Sequence, residues 1–71
     1  VDIHKLVKMA NEIAKFFEAE PDRAVAVEGV VGHLQRFWEP RMRRELLAHV
    51  EQTGGGDLRP LVVEAVRAIR K

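Results

Sequence analysis

The chain contains no cysteine, no serine and no tyrosine, and only one threonine, Thr53. Without cysteine no disulfide can restrict the unfolded ensemble, and no thiolate can hold a structural metal. Without cysteine or serine, the two commonest nucleophiles of covalent catalysis are missing, and Thr53 stands beside a glycine turn. Aromatic residues are scarce, with one tryptophan and three phenylalanines. No apolar run approaches the ~18 residues of a membrane span. Charges spread through the N-terminal segment argue against a secretory signal. The lack of cysteine fits the cytoplasm, which is the expected location.

What remains is the composition of a small folded domain. Of 71 residues, 46% are hydrophobic and 32% charged, too apolar for a disordered tail. Such a chain makes one domain at most, and one that buries only about 60% of its unfolded surface. Marginal stability, or stability borrowed from a larger partner, follows. The net charge of +1 is unevenly placed. Residues 1–35 carry four bases and six acids, and residues 36–71 carry eight bases and five acids. This modest asymmetry favours an acidic protein surface as partner over nucleic acid, which calls for a clearly basic domain.

The pattern is helical throughout, with no strand alternation and no repeat. It predicts an all-α fold, a compact small domain of about four short helices over 2–19, 21–38, 40–51 and 57–70. Asp2 can cap the first helix. Ile3, Leu6, Val7, Ala10, Ile13, Ala14 and Phe17 recur at three- and four-residue steps. Met9 and Phe16 lie on the flank of that stripe and widen it beyond what one neighbouring helix needs. They either pack under a third helix or face another chain. Pro21 suits the first position of the second helix, whose stripe reads Val27, Val30, Val31, Leu34, Phe37 and Trp38. Gly29 and Gly32 interrupt it, each costing about 1 kcal/mol relative to alanine, and close approach of another helix is the expected reason. Pro40 forces the next boundary. Met42, Leu46, Leu47 and Val50 face inward from the third helix. The run Gly54-Gly55-Gly56 ends it and supplies any left-handed cap. Asp57 is expected to cap the fourth helix, with Pro60 in its first turn, Leu58, Leu61, Val62, Ala65 and Ile69 on its stripe, and Arg67, Arg70 and Lys71 at its end. Helices one and two should form an antiparallel pair with three and four packed across it.

Chemistry is thinly supported. His4, His33 and His49 have no spacing that sets two on one helical turn, so a metal site is not indicated. His33 reads as a half-buried side chain bonded to backbone. The glycine run lacks the Lys-Ser/Thr of a phosphate loop. The feature that stands out is Arg36-Phe-Trp-Glu-Pro-Arg-Met-Arg-Arg44. Arg41, Arg43 and Arg44 sit at the start of the third helix, where its dipole disfavours cations by about 0.3–1 kcal/mol each. They form either a solvated basic face or a set of forks for carboxylates on another protein. Trp38 beside them is core, stacked on Arg43, or an interface anchor, and the sequence leaves both open.

Lys5-Leu6-Val7-Lys8-Met9-Ala10-Asn11-Glu12-Ile13, Phe16-Phe17, Pro21-Asp22, Val27-Glu28-Gly29-Val30, His33-Leu34 and Phe37-Trp38-Glu39-Pro40-Arg41-Met42-Arg43 carry a family resemblance. Together they resemble the delta subunit of soluble NAD-dependent, molybdenum-containing formate dehydrogenases. Agreement is close to Val50 and looser through Leu61-Val62 and Glu64-Ala65. The family commonly has aspartate at Glu39 and glycine near Ala14, and no role carries over to the glycine run. The resemblance implies a noncatalytic accessory subunit that binds no cofactor itself. Its partner would be the large alpha subunit, which holds molybdopterin and iron–sulfur clusters, while other subunits hold flavin and NAD. It would stabilise or assemble that subunit. The alternative is a maturation factor for cofactor insertion that leaves the finished enzyme, and a nucleic-acid-binding module is the remaining reading. The residues expected to meet the partner are Trp38, Arg41, Arg43 and Arg44, joined by Met9 and Phe16.

Overall fold

The computed structural model describes residues 2–70. Among them are four helices, α1 (Ile3–Phe17), α2 (Arg23–Phe37), α3 (Pro40–Thr53) and α4 (Pro60–Arg70), and no strand. The all-α expectation of four short helices therefore holds.

The helix boundaries follow from capping. Asp2 accepts from the His4 backbone N–H at 2.9 Å and starts α1. The second helix starts two residues later than Pro21 suggests, because Asp22 takes the cap position and accepts from Ala24 N and Val25 N. A capping carboxylate satisfies donors that a first-turn proline only tolerates. It also ends one residue early, at Phe37, because Trp38 is already extended. Pro40 opens α3 as expected, and Gly54 closes it at φ 79°, a left-handed position that costs glycine little. The fourth helix differs most. It starts at Pro60, and Asp57 does not cap it. The Asp57 carboxylate instead meets His49 Nε2 at 3.0 Å, tying α3 to the connecting loop. The expected cations at the end of α4 are Arg67, which is exposed, and the Arg70 side chain and Lys71, which lie outside the described residues.

α4 is the element around which the others close. Leu61, Val62, Ala65 and Val66 are buried, and α4 packs against α1, α2 and α3, most broadly against α2. α1 also touches all three of its neighbours through Leu6, Val7, Ala10 and Ala14. The pairing of helices one and two is thus present, but the broader face of α2 belongs to α4. The core line of α2 is Ala26, Val30, Leu34 and Trp38, one residue every four. Phe37, read as inward from the sequence, lies outside this line and is 70% exposed. Met9 (43% exposed) and Phe16 (75%) do not pack under a third helix.

The loop between α3 and α4 is held by one side chain of α1. Asn11 Nδ2 donates to the Asp57 carbonyl at 3.1 Å, and Asn11 Oδ1 accepts from the Arg59 N–H at 2.9 Å. Both halves of the amide are used, and the Asp57 carbonyl and the Arg59 N–H each gain a partner. Arg59 reaches Glu18 of α1 at 2.8 Å, and Arg23 of α2 bonds Glu64 of α4 through Nε at 2.9 Å. These exposed ion pairs fix register more than they add stability.

The two glycines of α2 have different reasons. A Cβ on Gly29 would run into the ring of Phe17, with Cζ at 3.1 Å, so α1 does approach closely there. A Cβ on Gly32 would meet nothing within 4 Å, and close packing inside the fold does not account for it. Gly29→Ala should therefore destabilise the domain by about 1–2 kcal/mol through overpacking, despite its helix-propensity gain. Gly32→Ala should stabilise it by up to about 1 kcal/mol. Urea unfolding of the two variants measures both signs.

The Asp57 carboxyl is held below its ordinary value of 3.8, above all by the hydrogen bond from His49, with partial desolvation opposing. A lowered carboxyl contributes stability above its unfolded value that is lost as pH falls through the folded value. The stability gap between wild type and His49→Ala should thus narrow as pH drops below 3.8. An acid-unfolding series followed by circular dichroism checks it, and a gap that stays constant contradicts it.

Candidate functional site

The residues that the sequence groups together fall into three places. Trp38 belongs to the interior, and Arg43 is half-buried at the turn beside it. Trp38 is 4% exposed and part of the core, which decides between its two readings for the free chain. Arg43 projects from α3 back over the end of α2. Its Nη1 donates to the carbonyls of Trp38 at 2.7 Å, Leu34 at 3.2 Å and Gln35 at 3.3 Å. A helix leaves its last carbonyls unpaired and its C-terminus partially negative. A guanidinium there satisfies both deficits, so a cation misplaced for α3's own dipole is well placed for α2's. Trp38 and Arg43 therefore build the turn, Trp38 buried and Arg43 half-buried with its guanidinium on the α2 carbonyls.

Arg41 and Arg44 are the second group, three residues apart on the outer face of α3 and both exposed. Arg41 lies 3.9 Å from Glu45, a loose contact that leaves it 83% exposed. Glu45 Oε2 is itself buried without a hydrogen bond. Arg44 has no acidic partner among the described residues. It borders a cleft of about 280 Å³ lined also by Arg43, Leu34, Pro40, Leu46, Leu47, Val66 and Ile69.

The third group is apolar. Met9 and Phe16 are seven residues apart on α1, hence on one side of it. Phe16 stands edge-on to Phe17, with centroids 5.1 Å apart. Beside it a shallow depression runs past Val25, Glu28 and Gly29. It continues through Gly32 and His33 to Arg36 and Phe37. His33 lies in this strip with its ring 4.8 Å from Phe37, tilted at 48°; an aromatic neighbour thus stands where a backbone hydrogen bond was expected.

Sequence reasoning missed Phe37 and Val25 as exposed positions. The signal for Phe37 was the four-residue ladder from Ala26 to Trp38: once Ala26 counts as core, Phe37 falls about 100° from that line. Among the described residues no three histidine, aspartate or glutamate side chains converge as a metal would require. No helix among them is long and apolar enough to cross a membrane.

The two strings that carry most of the family resemblance thus have structural work. In Met9-Ala10-Asn11, Ala10 is buried and Asn11 clamps the α3–α4 loop. In Phe37-Trp38-Glu39-Pro40-Arg41-Met42-Arg43, Trp38 fills the core, Pro40 starts α3 and Arg43 closes α2. Arg43→Met keeps the aliphatic stem and deletes the donors. It should cost about 1–3 kcal/mol, the range for hydrogen bonds from a charged group. Arg44→Met should stay within about 0.5 kcal/mol of wild type. Denaturant midpoints of the two variants make the comparison.

A family model described as the NADH-dependent formate dehydrogenase delta subunit, FdsD, matches residues 5–66. No curated protein and no solved structure matches the chain.

Proposed function

The chain belongs to the family of NADH-dependent formate dehydrogenase delta subunits, and on that premise we propose that it is a noncatalytic accessory subunit that binds the large alpha subunit. In this reading it acts in the cytoplasm and stabilises or helps assemble the catalytic subunit. It binds no cofactor of its own, and molybdopterin, iron–sulfur clusters, flavin and NAD are held by the other subunits.

The observation that carries the reading is the exposure of large apolar side chains on a domain with few to spare. Phe16 and Phe37, two of only three phenylalanines, stand mostly outside the core. Burying such a side chain is worth about 1.5–3 kcal/mol, a large sum for a chain of this size to leave unused. Arg41 and Arg44 support it as well, since both are exposed, Arg41 has only a loose contact with Glu45, and Arg44 has no acidic partner among the described residues. Of the residues expected to meet the partner, these two arginines with Met9 and Phe16 are the direct contacts. Trp38 and Arg43 act through the turn that presents Arg41 and Arg44.

A permanent subunit and a maturation factor that leaves the finished enzyme differ in what the mature complex contains. A complex purified through a tagged alpha subunit should contain this chain in stoichiometric amount. Its absence from the mature enzyme, with retention on cofactor-free alpha subunit, would make it a maturation factor instead. Arg41→Glu combined with Arg44→Glu should weaken capture by the alpha subunit about tenfold, equivalent to ~1.4 kcal/mol, while helical circular dichroism is retained.

A further inference from the structure

We infer that the outer face of α1 and α2 around Gly32 is the seat for an α-helix of the partner subunit. That helix carries an apolar stripe flanked by a basic residue that meets Glu28 and an acidic residue that meets Arg36. The inference rests on the reading of this chain as an accessory subunit and assigns it a specific docking face.

Four observations converge on this face. The first is the pair of exposed rings, Phe16 and Phe37, one toward each end of the strip. The second is that both rings are already braced, Phe16 by Phe17 and Phe37 by His33. Braced anchors lose little rotamer freedom on binding, so more of their burial appears as affinity. The third is Gly32. Gly29 is required by the ring of Phe17, whereas nothing in the fold occupies the space over Gly32. A bare backbone at that point lets a second helix approach closely, and this accounts for a residue that otherwise only weakens α2.

The fourth observation is charge. Glu28 and Arg36 stand one turn before and one turn after Gly32, both exposed and neither with an ion-pair partner among the described residues. They border the same strip, and Glu20 adds a second carboxylate at the Phe16 end. A nucleic acid or an anionic membrane would meet these carboxylates unfavourably, whereas a helix with one residue of each sign satisfies both ends. From Val25 to Phe37 the strip spans about 18 Å, or three helical turns. That length suits anchors spaced i, i+3/i+4 and i+7 on an incoming helix.

The test measures binding of the full chain to the purified alpha subunit by titration. Phe16→Ser combined with Phe37→Ser should weaken binding at least tenfold with helicity retained. Gly32→Gln is the sharper variant. It fills open space, so its thermal midpoint should be at or above wild type, yet binding should fall at least tenfold. Glu28→Lys should weaken binding about threefold or more. If wild type binds and all three variants bind equally well, the docking face is wrong and the accessory reading stands. If wild type does not bind, the accessory reading fails and the inference fails with it. A homodimer in sedimentation that is lost on Gly32→Gln would also overturn it, by identifying a second copy of this chain as the occupant.

Discussion

The end of α2 is the constraint on which the fold depends. The helix stops at Phe37 because Trp38 turns extended and Pro40 follows, and the stop leaves carbonyls that need donors. Arg43 supplies them from the first turns of α3. α2 and α3 share little direct packing, so the Arg43 guanidinium on the α2 carbonyls and the buried Trp38 at the turn are what join these consecutive helices. With α3 fixed in this way, Leu46 and Val50 reach the core, and α4 closes over α1, α2 and α3. A second polar tie, Asn11 on the loop before α4, completes the closure from the other side.

These ties divide the molecule into residues that make the fold and residues left over from it. Trp38, Arg43, Ala10 and Asn11 carry the family's most specific strings and are used internally. Arg41, Arg44, Met9, Phe16, Val25, Gly32 and Phe37 are not consumed in that way. In a domain with no cysteine and a small core, leaving large apolar groups outside makes physical sense when another subunit covers them. Membership in a family of enzyme subunits supplies other subunits as candidates for that cover.

Much of this was legible in the sequence, and the misses have two causes. The stripe of α1, the cap at Asp2, the start at Pro40 and the left-handed glycine at Gly54 are local features. Each is set by a few neighbouring residues and survives into the structure. Arg43 and Asp57 were misread because their environment comes from another element, and Phe37 because it stands at the edge of the α2 core line. Phe37 carries the right hydrophobicity, but its place at the end of α2 turns it outward. Arg43 conflicts with its own helix dipole and is reconciled by a neighbour's. Asp57 is a good capping residue, but it is held by His49 instead. Helical periodicity alone cannot separate a residue at the edge of a core line from one in it, and α2 shows this with Phe37 and Trp38 adjacent and opposite in burial.

In this reading the tryptophan turn is internal architecture and the face bearing Phe16 and Phe37 receives the partner. Hydroxyl-radical footprinting of the free chain and of the assembled complex tests it most directly. In the free chain Phe16, Phe37 and Met9 should be oxidised and Trp38 spared. In the complex Phe16 and Phe37 should become protected, with Trp38 unchanged. Oxidation of Trp38 in the folded free chain, or equal oxidation of Phe16 and Phe37 in both states, would contradict the account.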